Sequence, residues 1–181
     1  MESISQSGNS MDSLSRDVAR IVESVSRSVV AVNARRHLSS SGVYWCGGIV
    51  VTAAHTIRRA EEISVMSPVG QTLAASVAGA DPSTDIAVLK IESKDSSVPE
   101  FGNTGKLRAG HFVVAVGRGA QRGLNATLRM IGVLSGGWRT WRGGLLDQFI
   151  GLDLTLVPAA AGGALVDTQG RCPQDSNYRR G

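Results

Sequence analysis

The chain is 181 residues long, 42% hydrophobic and 19% charged, with a formal net charge of +4. That length suits one domain, or two small barrels sharing a core, and the composition is that of a soluble globular protein. No stretch approaches the roughly 20 apolar residues of a membrane span, the start of the chain lacks the basic-then-apolar pattern of a signal peptide, and two cysteines, Cys46 and Cys172, are too few for a disulfide framework and are expected as free thiols.

Residues 1–11 are polar and expected to be a disordered tail. Over 12–28, Leu14, Val18, Ile21, Val22 and Val25 recur at helical spacing, which predicts an amphipathic helix with Asp12 or Ser13 as its cap. From there the pattern turns to short apolar strands broken by turns. "SVVAVNAR", "GVYW", "GIVVTA", "EISVMSPVGQTLAASVAG" and "DIAVLKI" fill residues 29–98 and predict a first β-barrel. The polar, Gly- and Ser-containing run through 99–110 reads as a linker. "HFVVAVG", "LNATLRMIGVLSG", "LLDQFIGLDLTL" and "GALVD" then predict a second barrel over 111–170. Residues 171–181 read as an irregular tail, because "CPQDSNYRRG" is polar and holds a proline. The fold class is therefore all-β with a short N-terminal helix; no helices separate the strands as a parallel α/β fold requires.

Three stretches carry chemistry. "VVTAAHTI" delivers His55 at a strand end, "DPSTDIAVLKI" places Asp85 at a strand start, and "AAAGGALVD" sets alanines before a Gly-Gly turn. Hydrolysis through a hydroxyl nucleophile needs a base, a carboxylate that fixes the base's tautomer, and a nucleophile on a sharp turn whose N–H groups face the oxyanion.

On these stretches, together with "LRAGHFVVAVG" and "MIGVLSGG", the chain resembles the trypsin-like proteases of the HtrA/Deg family over most of residues 14–170. The resemblance implies a trypsin-like double β-barrel, with His55 as general base, Asp85 as orienting acid and Ala161 in the place of the serine nucleophile. It puts the oxyanion hole at Ala159 and Ala161, where the family reads Gly-Asn-Ser-Gly-Gly. Alanine has no hydroxyl, and a Cβ at 159 replaces a glycine of the turn. The chain also ends before the family's closing strands, so the second barrel is expected to be incomplete.

The function implied is serine endopeptidase cleavage of unfolded polypeptide, with the activity lost in this chain at Ala161. The alternatives are a pseudoprotease that binds extended peptide at a strand edge without cleaving it, and a shortened product that folds poorly. The expected partner is unfolded or extended polypeptide, and a homotrimer through residues 12–30 is the assembly the resemblance suggests. No cofactor and no metal site are expected. The basic pairs Arg35-Arg36, Arg58-Arg59 and Arg179-Arg180 are scattered, without an aromatic platform beside them, so no nucleic-acid partner is expected. Ser135 in "GVLSGG" reads as a strand-end serine. Cys46 precedes His55 in the wrong order for a nucleophile, and His37 and His111 lack metal-site spacing. "GRGAQRG" at 117–123 lacks the strand–helix frame of a phosphate loop.

Overall fold

The computed structural model describes residues 5–34, 38–58, 62–93, 97–153 and 160–174. A helix, α1 (Ser5–Ser26), opens the chain. It starts inside the stretch expected to be disordered, and Asp12 accepts a bond from Arg16 Nε on its main-chain oxygen from within the helix rather than capping it. The reason is cooperative: the stretch contains no proline, and the packed apolar half supplies the nucleus from which polar turns propagate at little cost. Val18, Ile21 and Val22 pack around Val25, which is buried with Val29, Val114, Val116, Ala164 and Val166. The helix closes early, at Ser26. Ser24 turns its hydroxyl back on the Ile21 carbonyl, while Ser26 Oγ donates to Glu23 O and Ser28 N to Val25 O, the last two serving carbonyls that a helix end leaves open.

Six strands then close a barrel: β1 (Val29–Asn33), β2 (Ser40–Cys46), β3 (Ile49–Ala53), β4 (Ile63–Met66), β5 (Thr72–Asp81) and β6 (Ile86–Ile91), in the spatial order β1-β2-β3-β6-β5-β4 with β4 returning to β1. Every pairing is antiparallel. Closure removes the open edges that short strands would otherwise expose. The interior is filled by β-branched and aliphatic side chains, Val30, Val32, Val50, Val65 and Leu89, with Tyr44 as the one buried aromatic of this cluster.

Past β7 (Phe101–Asn103), the second half is a four-stranded antiparallel sheet. Its members are β8 (Phe112–Gly119), β9 (Gly123–Ser135), β12 (Phe149–Leu152) and β13 (Ala164–Val166), ordered β12-β9-β8-β13. A small hairpin of β10 (Trp138–Arg139) and β11 (Leu145–Leu146) stands between β9 and β12. Among the described residues the sheet is open, a half-barrel. Its inner face holds Val113 and Ile131, against which Ile150, Leu152 and Leu165 pack, while Val114 and Val116 face α1. The glycine-rich segment 117–123 is the turn of the β8–β9 hairpin, where Gly119 pairs with Gly123.

Three expectations are revised here. The linker holds β7, and the tail holds β14 (Cys172–Gln174), which runs parallel to β7 and whose Cys172 N donates to Glu100 O. Pro173 fits because a two-stranded pair is all edge, so its missing N–H breaks no central ladder. The strand expected over "LLDQFIGLDLTL" is divided into β11 and β12, and its last residues lie outside the described set.

Arg118 of β8 ties the halves together. Its Nε donates to Val29 O at 2.8 Å and its Nη2 to Ser26 O at 2.9 Å, while its main-chain N–H donates to Ser41 Oγ at 2.8 Å. Burial lowers the pKa of its guanidinium from the usual arginine value, and the two carbonyls compensate that desolvation.

Candidate active site

Strand β3 ends at Ala53 and runs into a 3-10 turn over Ala54–Thr56. Thr56 Oγ1 donates to Ala53 O at 2.7 Å and closes that turn. The turn is also clamped from the β5–β6 loop. Ala54 N donates to Asp85 O at 2.9 Å, His55 N donates to Asp85 Oδ1 at 2.8 Å, and His55 Nδ1 lies 2.6 Å from Asp85 Oδ2. Asp85 therefore holds both the ring and the backbone of His55. To do so it adopts φ +61°, the one positive φ on a non-glycine residue among those described; aspartate tolerates this region better than most side chains. Both side chains are about half exposed.

The loop that presents Asp85 is internally braced. Asp81 accepts from Ser83 N and Ser83 Oγ on one oxygen and from Thr84 Oγ1 on the other, at 2.6–2.8 Å. These bonds, led by the Ser83 hydroxyl, hold its carboxyl below the usual carboxylate range. Thr140, from the β10–β11 hairpin, adds a bond from Oγ1 to Ser83 O at 2.7 Å. A Cβ at Gly144 would lie 2.7 Å from the Ser83 carbonyl, so this hairpin packs directly on the loop.

The third segment is the turn at 160–163. Ala160 is buried, Gly163 N donates to Ala160 O, and Ala161 O accepts from Ser41 N at 2.9 Å. Gly162 has φ +78°, and a Cβ on it would sit 2.4 Å from Ser41 O and 2.8 Å from Ala53 N. The turn is thus wedged against β2 and the end of β3, beside the residues that lead into His55. From the other side Gly117 of β8 abuts it, since a Cβ there would lie 2.9 Å from Ala160 Cα. The fold brings the His55, Asp85 and Ala161 segments to one place. Ala159 lies outside the described residues, as does His37.

A cleft of about 360 Å³ opens between the two halves here, lined by Ala53, Asp85, Gly162, Trp45, Phe101 and Leu165 among others. Trp45 and Phe101 meet edge to face with ring centroids 4.8 Å apart. A larger hollow of about 470 Å³ lies between α1 and the outer face of β8–β9, away from His55 and Asp85. Ser135 sits in the β9–β12 ladder opposite Phe149, and Cys46 is exposed at the end of β2. His111 precedes β8 and accepts from Ile131 N on its carbonyl. No group of three metal-ligating side chains occurs among the described residues. Trp45, Phe101, Thr140 and Gly144 were not anticipated as parts of the site. Their contacts span distant segments and leave no local pattern, although the Trp-Arg-Thr-Trp-Arg run at 138–142 is visible as an aromatic–basic stretch.

Residues 40–172 match the trypsin-like peptidase domain family, and the chain belongs to it. Its curated relatives place it on the DegP/HtrA branch of trypsin-like proteases. It is 35% identical over 125 residues to a probable periplasmic serine endoprotease, DegP-like, of Chlamydia muridarum, covering 68% of this chain and 24% of that protein. A protein of the same description from Bartonella henselae is 36% identical over 125 residues, with the same coverage of 68% and 24%. The one from Pseudomonas putida is 32% identical over 133 residues, covering 74% and 27%. The chain thus spans about a quarter of the length of these relatives. Among solved structures, the HtrA-type protease AlgW with a tripeptide superposes with a TM-score of 0.74 at 29% identity, covering 85% of this chain and 52% of that one. Deg5 superposes with a TM-score of 0.75 at 24% identity, covering 87% and 82%, and shows the fold alone.

Proposed function

We propose that this chain is an HtrA-type serine endopeptidase domain, acting on unfolded or extended polypeptide in its lineage, that has lost cleavage because Ala161 stands in the nucleophile's place. The observation that carries the reading is the double hold of Asp85 on His55 beside the 160–163 turn. With Nδ1 donating to Asp85, Nε2 is the nitrogen that would take a hydroxyl proton and later return it to the leaving amine. A methyl group at 161 offers no proton and no lone pair, so no acyl-enzyme forms. The oxyanion contacts belong to the N–H groups of Ala159 and Ala161 in this reading.

A second reading, retention of extended peptide without cleavage, has its own support. β12 and β13 are the edges of an open sheet among the described residues, and both contribute apolar side chains to the cleft. Asn125 Nδ2 and Arg129 Nε, on the inner face of that sheet, are buried and have no hydrogen-bond partner among the described residues. An added strand supplies carbonyl acceptors and main-chain pairing together.

Cleavage of unfolded casein by the parent chain and by its Ala161→Ser variant tests the first reading. The parent leaves casein intact and the variant cuts it. A parent chain that cuts casein would overturn the reading. If the folded variant does not cut, while the parent retains extended peptides in a pull-down, the second reading replaces the first.

A further inference from the structure

The β10–β11 hairpin carries Trp138-Arg139-Thr140-Trp141-Arg142 at its tip, and the proposed chemistry does not use its outer side. Trp141 is 95% exposed, Leu145 67% and Trp138 46%, and Arg139 and Arg142 are exposed between and beside them. Single exposed apolar residues are ordinary on a protein surface. Two tryptophans, a leucine and two guanidiniums gathered on one turn are a different case, because such a surface holds apolar bulk in water with cations at its rim.

The projection is built, not slack. Trp138 pairs with Leu146 and Arg139 with Leu145 across the hairpin. Thr140 N donates to Gly144 O, Gly143 N returns to Thr140 O, and Gly143 takes φ +90° to make that turn. Thr140 Oγ1 fastens the hairpin to Ser83, and the Trp138 ring leans on Phe149 with centroids 5.2 Å apart. The tip is therefore held out in one shape before any partner arrives.

We propose that this tip docks on the surface of an anionic lipid bilayer. Indole rings favour the headgroup level of a bilayer, where the ring is apolar and the N–H is wet. Guanidiniums beside them pair with phosphates, and each cation near an anionic surface adds to the attraction. A projecting tip also needs no preformed pocket in a fluid surface. Single-stranded nucleic acid calls for a cationic groove with several stacking faces, and here one indole is fully open while the other is partly laid on Phe149. The net charge of +4 favours approach to an anionic surface. The acids near the hairpin, Asp81, which Ser83 and Thr84 hydrogen-bond, and exposed Asp147 at its base, keep their charge and oppose this attraction, so the docking is assigned to the tip, where the two guanidiniums and the open indole lie. This inference does not depend on the fate of the nucleophile.

The test uses the whole chain with vesicles of phosphatidylcholine, with and without phosphatidylglycerol. The protein sediments with the anionic vesicles and not with the neutral ones, and added salt weakens the association. Trp141→Ser, and Arg139→Glu with Arg142→Glu, each lower the bound fraction by about tenfold. In the parent chain, brominated acyl chains quench tryptophan fluorescence, which reads insertion without any variant. Absence of sedimentation, equal binding by parent and Trp141→Ser, or no quenching would overturn the proposal. So would tighter binding of a thymidine oligonucleotide lost in the same variants, which would assign the tip to nucleic acid.

Discussion

The Asp85 carboxylate holds His55 at two points, accepting the main-chain N–H on Oδ1 at 2.8 Å and meeting ring Nδ1 with Oδ2 at 2.6 Å. One contact fixes where the ring starts and the other fixes its rotation and tautomer. The cost is a positive φ at Asp85. Asparagine also tolerates that conformation, so Asp85→Asn separates charge and tautomer from folding. In an Ala161→Ser background it lowers the rate of casein cleavage by about 10⁴-fold, with a melting temperature close to that of the same background.

Gly162 is the fixed point of the opposite turn. An added methyl meets Ser41 O at 2.4 Å and Thr52 Oγ1 at 2.5 Å, on a backbone at φ +78°. Backbone atoms of β2 cannot yield without opening the barrel. Gly162→Ala therefore costs about 2–4 kcal/mol in urea denaturation, and Gly70→Ala, which has open space around its Cβ at a positive φ, costs less.

Arg118 joins the second sheet to the α1–β1 junction through two carbonyls. Arg118→Met keeps much of the aliphatic stem and removes both donors, leaving the Ser26 and Val29 carbonyls without these bonds. A loss of about 2–3 kcal/mol is expected from equilibrium denaturation. Arg122→Met, an exposed residue on the following turn, serves as the control with little change.

Cys172 sits mostly buried on β14, and desolvation, helped by Asp167, pushes its thiol up to about 12. The unfolded thiol ionises near the ordinary 9.0, so folding is favoured below that pH and the contribution fades as pH rises from there toward 12. At pH 8 a maleimide reagent is expected to modify exposed Cys46 quickly and Cys172 only after denaturation. Mass spectrometry of the peptides after timed quenching distinguishes the two.

Much of this was legible in the chain because it is local. Alternation in "DIAVLKI" marks β6, helical spacing marks the packed half of α1, and the His55, Asp85 and Ala161 segments are each contiguous. The start of α1 was not legible, since polar residues 5–11 carry no periodicity and are helical only as an extension of the packed part. The strand at Cys172–Gln174 was hidden by Pro173, whose acceptability depends on a partner some 70 residues earlier in sequence. The brace of Thr140 on the Asp85 loop was hidden for the same reason: a hydroxyl and a glycine matter there because of Ser83, from the other half of the molecule.

We propose that cleavage is lost at Ala161, where the nucleophile's hydroxyl is missing. Labelling with a fluorophosphonate probe tests it most directly, applied to the parent chain, to Ala161→Ser, and to Ala161→Ser with His55→Ala. Only Ala161→Ser is expected to label, because the probe reports a serine activated by an oriented histidine. Labelling of the parent would move the nucleophile elsewhere, to Ser135 first, and absence of labelling in a folded Ala161→Ser protein would mean that the turn around Ala159 no longer forms an oxyanion site.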